Sequence, residues 1–357
     1  MILYFHTNTP SYIRSKKIIS SLISLGVDFR FFGACRSGTK WDDTKNCTDS
    51  NVHLPHGYKS IFGLFLYLIK AIRFLKKYRP SEIIVTNEEL ILIPLLAGYK
   101  GRIWLDAIDS LDIRVQSNSH VVKWFFRRLS ILARKKANVV VEVEEFRRER
   151  FPQFLTKTRV LRNIIDAPSF DLNSLSRELQ LDRPYVMVWG SLNADINGLE
   201  WLLKTVDELG VELSVVVVGI VNDSALLSTI ESKPFVHFLG PQPHEECLKL
   251  LSSASMAYAM YKPVNENFRL AAPNKVYEAL SVGTPILINK EALISQMVEG
   301  FSGGFAVPWG DVGALTVAIE SCLLSTDKQS TVSASSFSWS SEFENVFREV
   351  LNENSFG

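Results

Sequence analysis

Short apolar runs alternate along the chain with longer segments of helical period, the pattern of parallel sheets wrapped by helices. Leu213–Val218 is apolar at every position except Ser214, as a central strand covered on both faces requires. In the first half the pattern predicts strands at Ile2–Phe5, Val27–Phe32, Glu82–Thr86, Arg102–Asp106 and Asn138–Val143. Helices are predicted between them at Tyr12–Leu25, Ile61–Tyr78, Glu88–Ala97 and Val121–Lys136. After a linker near 166–183 the pattern restarts at Tyr185–Trp189. Further strands follow at Leu213–Val218, Phe235–Leu239, Met256–Met260, Pro285–Ile288 and Gly304–Val307. A Ser/Thr-rich stretch, 325–341, precedes a terminal helix at Glu342–Asn352. Two Rossmann-like α/β domains are the economical reading. Ligands of such sheets bind beyond the carboxyl ends of the strands. The loops at 6–11, 87–88, 106–114, 190–197, 219–223 and 261–274 are therefore the places to look for chemistry.

Composition agrees and excludes alternatives. With 357 residues, 46% of them hydrophobic, the chain can bury two cores and is neither disordered nor a disulfide scaffold. Cys35, Cys47, Cys247 and Cys322 lack metal-ligand spacing, which suits a reduced, cytoplasmic protein. Met1–Phe5 reads as a first strand rather than a leader, and Ser60–Ile69 falls short of the ~18 residues of a spanning helix. The formal net charge of +1 conceals an asymmetry. Residues 1–168 carry 28 Lys/Arg and 15 Asp/Glu, a net of +13, and the remainder a net of −12. A basic half is joined to an acidic half.

The most informative stretch is Asn265–Pro285. A strand ends near Met260, a polar loop follows, and a helix is expected to begin at Pro273-Asn274-Lys275 with Asn274 as its cap. That would aim backbone amides and the positive dipole end at a ligand, an anion site to which Lys275 adds a full charge. Glu278 lies one turn on, on the same face, where a carboxylate can accept from two adjacent ribose hydroxyls. A helix with a surface Lys–Glu pair and a glycine stop fits the same residues equally well.

The pattern Pro-x-Lys-x-x-Glu-Ala-Leu-x-x-Gly-x-Pro of residues 273–285 resembles the donor-nucleotide segment of GT-B glycosyltransferases, especially the family 4-like group. Val160–Asp166 resembles the inter-domain segment of that group, and Val188–Leu192 its opening strand and glycine loop. Phe305–Asp311 and Phe337–Ser340 match further segments in register. The resemblance implies two Rossmann-like domains facing across a cleft, with the C-terminal helix crossing back to the N-terminal domain. Residues 1–168 would bind the acceptor and 169–340 the nucleotide sugar, with helix and tail at 341–357. It assigns the donor nucleotide to Gly190, Ser191, Asn274, Lys275 and Glu278. Two positions depart from the pattern. Leu270 stands where the family has a second glutamate, for which Glu266 is the candidate substitute. No Lys or Arg occurs in Ser191–Asn197, so phosphate neutralisation would fall on Lys275 and Arg269.

On the acceptor side, Asp106 ends a strand, and Asp109 lies in the loop beyond. An inverting transferase needs a group to take the acceptor hydroxyl's proton. Asp109 is the first candidate and Asp106 the second, although either could instead cap a helix or fix the loop. His6 and Arg14, flanking the first loop, are candidates for touching acceptor or phosphate. The helix at 121–136 has six cations and no acid. Val122, Phe125, Leu129 and Leu132 would face inward, leaving Lys123, Trp124, Arg127, Arg128, Arg134 and Lys135 outward. Such a face suits an anionic membrane surface; a solvated basic face is the plainer reading.

These features together point to a cytoplasmic enzyme, peripheral at the inner membrane face. It would move a hexose from a UDP-sugar (GDP-sugar second) to a hydroxyl of a lipid-linked glycan in cell-surface polysaccharide assembly. No metal, no other cofactor and no nucleic acid are expected. A sugar-nucleotide 2-epimerase of the same architecture, a non-catalytic nucleotide binder and a nucleic-acid-binding protein are the alternatives.

Overall fold

The structure, a computed structural model, describes residues 1–34, 52–53, 61–115, 117, 119–166, 184–300, 304–324 and 338–352. Cys35, Cys47, the linker at 167–183 and the Ser/Thr-rich stretch as far as Phe337 lie outside the described residues. Two compact units form: Met1–Arg162 with Trp339–Gly357, and Asn163–Ser338.

In the first unit seven parallel strands are ordered β3-β2-β1-β4-β5-β6-β7. They are β1 (Ile2–Phe5), β2 (Phe29–Phe32), β3 (Val52–His53), β4 (Glu82–Thr86), β5 (Arg102–Ala107), β6 (Val139–Glu142) and β7 (Thr158–Val160). Alternate strand residues such as Leu3, Phe5, Ile83, Val85, Ile103 and Leu105 pack on Tyr67, Ala71, Leu75, Leu90 and Ala133 of the covering helices. On the opposite face Trp104 stacks on Phe343 and packs against the tilted ring of Phe347, both of the helix Trp339–Asn352. The terminal helix therefore completes the first unit, and its Trp339 indole donates to Ser21 Oγ at 2.9 Å.

The second unit has six parallel strands in the order β10-β9-β8-β11-β12-β13. Their spans are β8 (Tyr185–Leu192), β9 (Ser214–Val221), β10 (Val236–Gly240), β11 (Met256–Tyr258), β12 (Ile286–Asn289) and β13 (Gly304–Val307). Valines 186, 188, 215 and 217 pack against Leu199, Leu202, Leu203 and Val206 of the helix Leu199–Leu209. The strand order reverses between β8 and β11, so a crevice opens beyond their carboxyl ends. There the structure differs from the sequence expectation. β8 does not stop at Trp189 but continues to Leu192, paired with β9 through Gly190↔Gly219. Both glycines have positive φ, and a Cβ on Gly219 would lie 2.0 Å from the Gly190 carbonyl oxygen. Only glycine allows the two backbones to run this close.

Candidate active site

The donor-side residues expected from sequence converge in the second unit. Lys275 and Glu278 belong to the helix Asn274–Ser281, which starts just beyond the polar loop after β11. Asn274 is not the cap: that position falls on Pro273, and no side chain caps this end of the helix. The Lys275 ammonium reaches back over β8, 5.5 Å from the Trp189 ring centroid and 5.6 Å from that of Tyr261. Gly190 makes room for it, since a Cβ there would sit 3.2 Å from Lys275 Cε. Burial brings the lysine pKa down to about 8, with Glu278 pulling in the opposite direction. A cation held between two aromatic faces and short of water is poised to take an anionic partner.

Glu278 is 6% exposed. Its Oε2 accepts from the Trp189 indole N–H at 2.9 Å, and its Oε1 lies 3.1 Å from His244 Nε2. Trp189, Tyr261 and His244 were not among the residues singled out from the sequence. The only sequence signals were an aromatic before the β8 glycine and a histidine opening the helix His244–Ser253. Ser191 Oγ accepts from Asn222 Nδ2 at 2.7 Å. Glu266 and Arg269 pair with each other at 2.9 Å on a short exposed turn, while Leu270 is buried. The residue at the departing position is thus a core side chain, and the nearest acid is engaged by its own neighbour.

In the first unit the structure corrects several expectations. Asp106 is fully buried, and both its oxygens accept from Arg14, Oδ1 from Nη2 at 2.6 Å and Oδ2 from Nε at 3.2 Å. Arg14 also donates to the Leu161 carbonyl at 2.8 Å and lies over the Trp339 ring. This pair ties together the segments that leave and re-enter the unit, so neither residue is open to a substrate. His6 is likewise buried, between the rings of Tyr4 and Tyr12. Asp109 is different: its side chain is 43% exposed, with Arg147 at 3.5 Å. Its backbone N–H donates to Asn87 Oδ1 at 3.2 Å. Asn87 holds a φ of 66°, a conformation that costs a non-glycine residue ~1–3 kcal/mol. Its own N–H donates to the Asp106 carbonyl, which fixes the strained turn beside the Asp109 loop.

The basic helix His120–Lys136 is rotated from the expected setting. Ser130, Ala133 and Arg134 face inward, and Arg134, 1% exposed, pairs with Glu88 and Glu142. Ser130 and Ser110 also donate to Glu88. Close packing over a buried ion cluster needs small residues and an arginine on the inner face, not the leucine stripe. Arg127 bridges to Asp112 at 2.7 Å, where burial would raise the carboxyl but Arg127 and Arg150 hold it below the usual range. The outer face carries Val121, Trp124, Phe125, Arg128, Leu132 and Lys135, with Trp124 59% and Phe125 56% exposed. Arg128 lies over the Trp124 ring. Lys123 is exposed beside them.

Residues 183–325 match the family described as Glycosyl transferases group 1. The matched residues lie within the second unit, so it is this unit that resembles the group 1 glycosyl transferases, and the fold of the chain is that of GT-B structures. Several solved structures share the fold of the chain. Sucrose-phosphate synthase from Thermosynechococcus elongatus has a TM-score of 0.73 at 15% identity, covering 99% of this chain and 100% of that one. HepE of Anabaena, solved with UDP and glucose, gives the same TM-score, identity and coverage. UDP-GlcNAc 2-epimerase from Methanocaldococcus jannaschii also matches, with a TM-score of 0.67 at 14% identity over 98% of this chain and 99% of that one. Proteins of this fold thus carry out both chemistries. No curated protein sequence matches the chain. Among the described residues no helix is long and apolar enough to cross a membrane, and no three His, Cys, Asp or Glu side chains are grouped to hold a metal ion.

Proposed function

We propose that this glycosyltransferase moves a hexose from a nucleoside diphosphate sugar to a hydroxyl of a lipid-linked oligosaccharide, with a UDP-sugar favoured over a GDP-sugar. The observation that carries the donor half is the Lys275 ammonium held between Trp189 and Tyr261, beside a buried carboxylate on the same helix face. Lys275 would take the diphosphate and Glu278 the ribose hydroxyls, with Gly190 leaving room for the Lys275 side chain. The structural neighbour solved with UDP and glucose supports the choice of base. A thermal-shift screen across UDP-, GDP-, dTDP-, ADP- and CMP-sugars tests it. A rise in Tm with UDP-sugars is expected, and no shift with any of the five would remove the reading. The leaving diphosphate is neutralised by Lys275 in this scheme, so EDTA should leave transfer unchanged.

Asp109 is the residue for the acceptor proton, being exposed where Asp106 is locked to Arg14. Loss of a general base costs roughly 10²–10⁴ in rate. Asp109→Asn should therefore lower kcat within that range while donor affinity stays unchanged; full activity would reject the role.

The lipid-linked acceptor rests on the outer face of the 120–136 helix, where exposed aromatics alternate with cations, as interfacial helices do. Each near-surface cation contributes ~1 kcal/mol on anionic lipid. Neutralising Arg128 and Lys135 together should weaken co-sedimentation with phosphatidylglycerol vesicles about thirtyfold. Equal sedimentation of the variant and the parent protein would count against a membrane face.

A further inference from the structure

Glu278 is held from three directions before any donor arrives. It sits on the helix Asn274–Ser281, one oxygen takes the N–H of Trp189 within β8, and the other meets His244 at the first residue of the helix His244–Ser253. A carboxylate oxygen accepts, so in this pair His244 Nε2 is the donor. Trp189 has a second task, because its ring face lies under the Lys275 ammonium. One indole thus touches both the group assigned to the diphosphate and the group assigned to the ribose.

We propose that Trp189 and His244 are positioning residues for the donor: by holding both oxygens of Glu278 they fix the angle at which it meets the ribose hydroxyls, and Trp189 sets Lys275 in register with it. This rests on the donor reading above and names the residues that make that site selective for ribose. A carboxylate offers about four lone-pair sites, so two donors at the back do not exhaust it. They do remove its freedom to rotate, and a group fixed beforehand binds without the ordering cost that a mobile one carries. Around the pair stand Lys275, Tyr261, Cys247, Glu245 and Glu246, with Lys249 bridging to both glutamates. The indole and the imidazole engage the two Glu278 oxygens separately, Oε2 and Oε1.

The test is calorimetry of UDP and 2′-deoxy-UDP on the full chain, with GDP and its deoxy form if the screen selects guanine. The variants are Trp189→Phe, which keeps a ring under Lys275 but removes the N–H, with His244→Ala, His244→Gln and Glu278→Ala. His244 is 55% exposed, so its substitution leaves the fold intact even where that of Trp189 does not. Trp189→Phe and His244→Ala should each weaken UDP binding roughly tenfold, as loss of a hydrogen bond to a charged group does. Each should also shrink the preference for ribose over deoxyribose toward the value in Glu278→Ala. His244→Gln, which retains an N–H, should recover most of both, and in transfer assays the effect should fall on donor KM with kcat preserved. If Glu278→Ala abolishes the ribose preference while His244→Ala leaves affinity and preference unchanged, the positioning role is overturned and the donor site stands. If Glu278→Ala itself leaves UDP affinity and preference unchanged, the donor reading fails, and the positioning role with it.

Discussion

Lys275→Ala is expected to weaken nucleoside diphosphate binding by about a hundredfold, the scale on which truncating one partner of a desolvated charge pair acts. The expectation comes from placement as well as charge. The ammonium has been drawn out of water by Trp189 and Tyr261, and burial has brought its pKa down to about 8. An approaching diphosphate favours the protonated form, so donor affinity should be complete below pH 8 and decline as the pH rises through it. Lys275→Arg should keep its affinity across that range, since a guanidinium stays charged. The unliganded protein should show the opposite trend. A lysine that prefers to be neutral when folded adds stability as pH rises from about 8 toward its ordinary value. Calorimetry at pH 7 and pH 9 separates the two trends, and unchanged binding by Lys275→Ala would remove the basis of the donor site.

Arg134→Ala is expected to destabilise the first unit by ~3–5 kcal/mol, the cost of leaving buried charge without its partner. Two carboxylates, Glu88 and Glu142, would lose the same counterion, and the Phe151 ring would lose the guanidinium stacked 3.7 Å from its centroid. A fall in Tm of about 10 °C follows from that range for a unit of this size. Vesicle binding by the protein that remains folded should be unaltered, because Arg134 does not reach the surface. Lys135, its immediate neighbour, should behave in the opposite way: no change in Tm, but weaker sedimentation with anionic lipid. Equal Tm values for Arg134→Ala and the parent protein would mean that the ion cluster does not stabilise the unit.

The contrast between those adjacent residues shows where sequence reading stops. The strands were legible because parallel sheets bury both faces, and a run such as Leu213–Val218 leaves few alternatives. The orientation of the 120–136 helix was not, because periodicity assigns large apolar residues to the inside. Here the inside holds Ser130, Ala133 and Arg134 over an ion cluster, and Phe125 and Leu132 were displaced outward. Lys275 and Glu278 were legible because both lie on a single helix at a telling spacing. Trp189 and His244 were not, because it is the sheet order, with β8 beside β11, that carries them to Glu278 from positions 89 and 34 residues away. Asp106 shows the converse. Its position at a strand end suggested chemistry, and only the depth of Arg14 reveals a framework pair.

The helix Trp339–Asn352 covers the Trp104 face of the first unit, and its edge is tied down by Arg102 to the Val350 carbonyl, Arg159 to Glu349 and Arg162 to Glu342. On the ribosome this imposes an order of events. The sheet of residues 2–160 emerges early but must wait, with one flank unsealed, while the whole of the other unit is synthesised. The middle of the chain can reach its native form first. The earlier-made half becomes complete only when the segment translated after it returns, so a polypeptide stopped at Ser338 would present Trp104 and its neighbours to chaperones rather than to substrate.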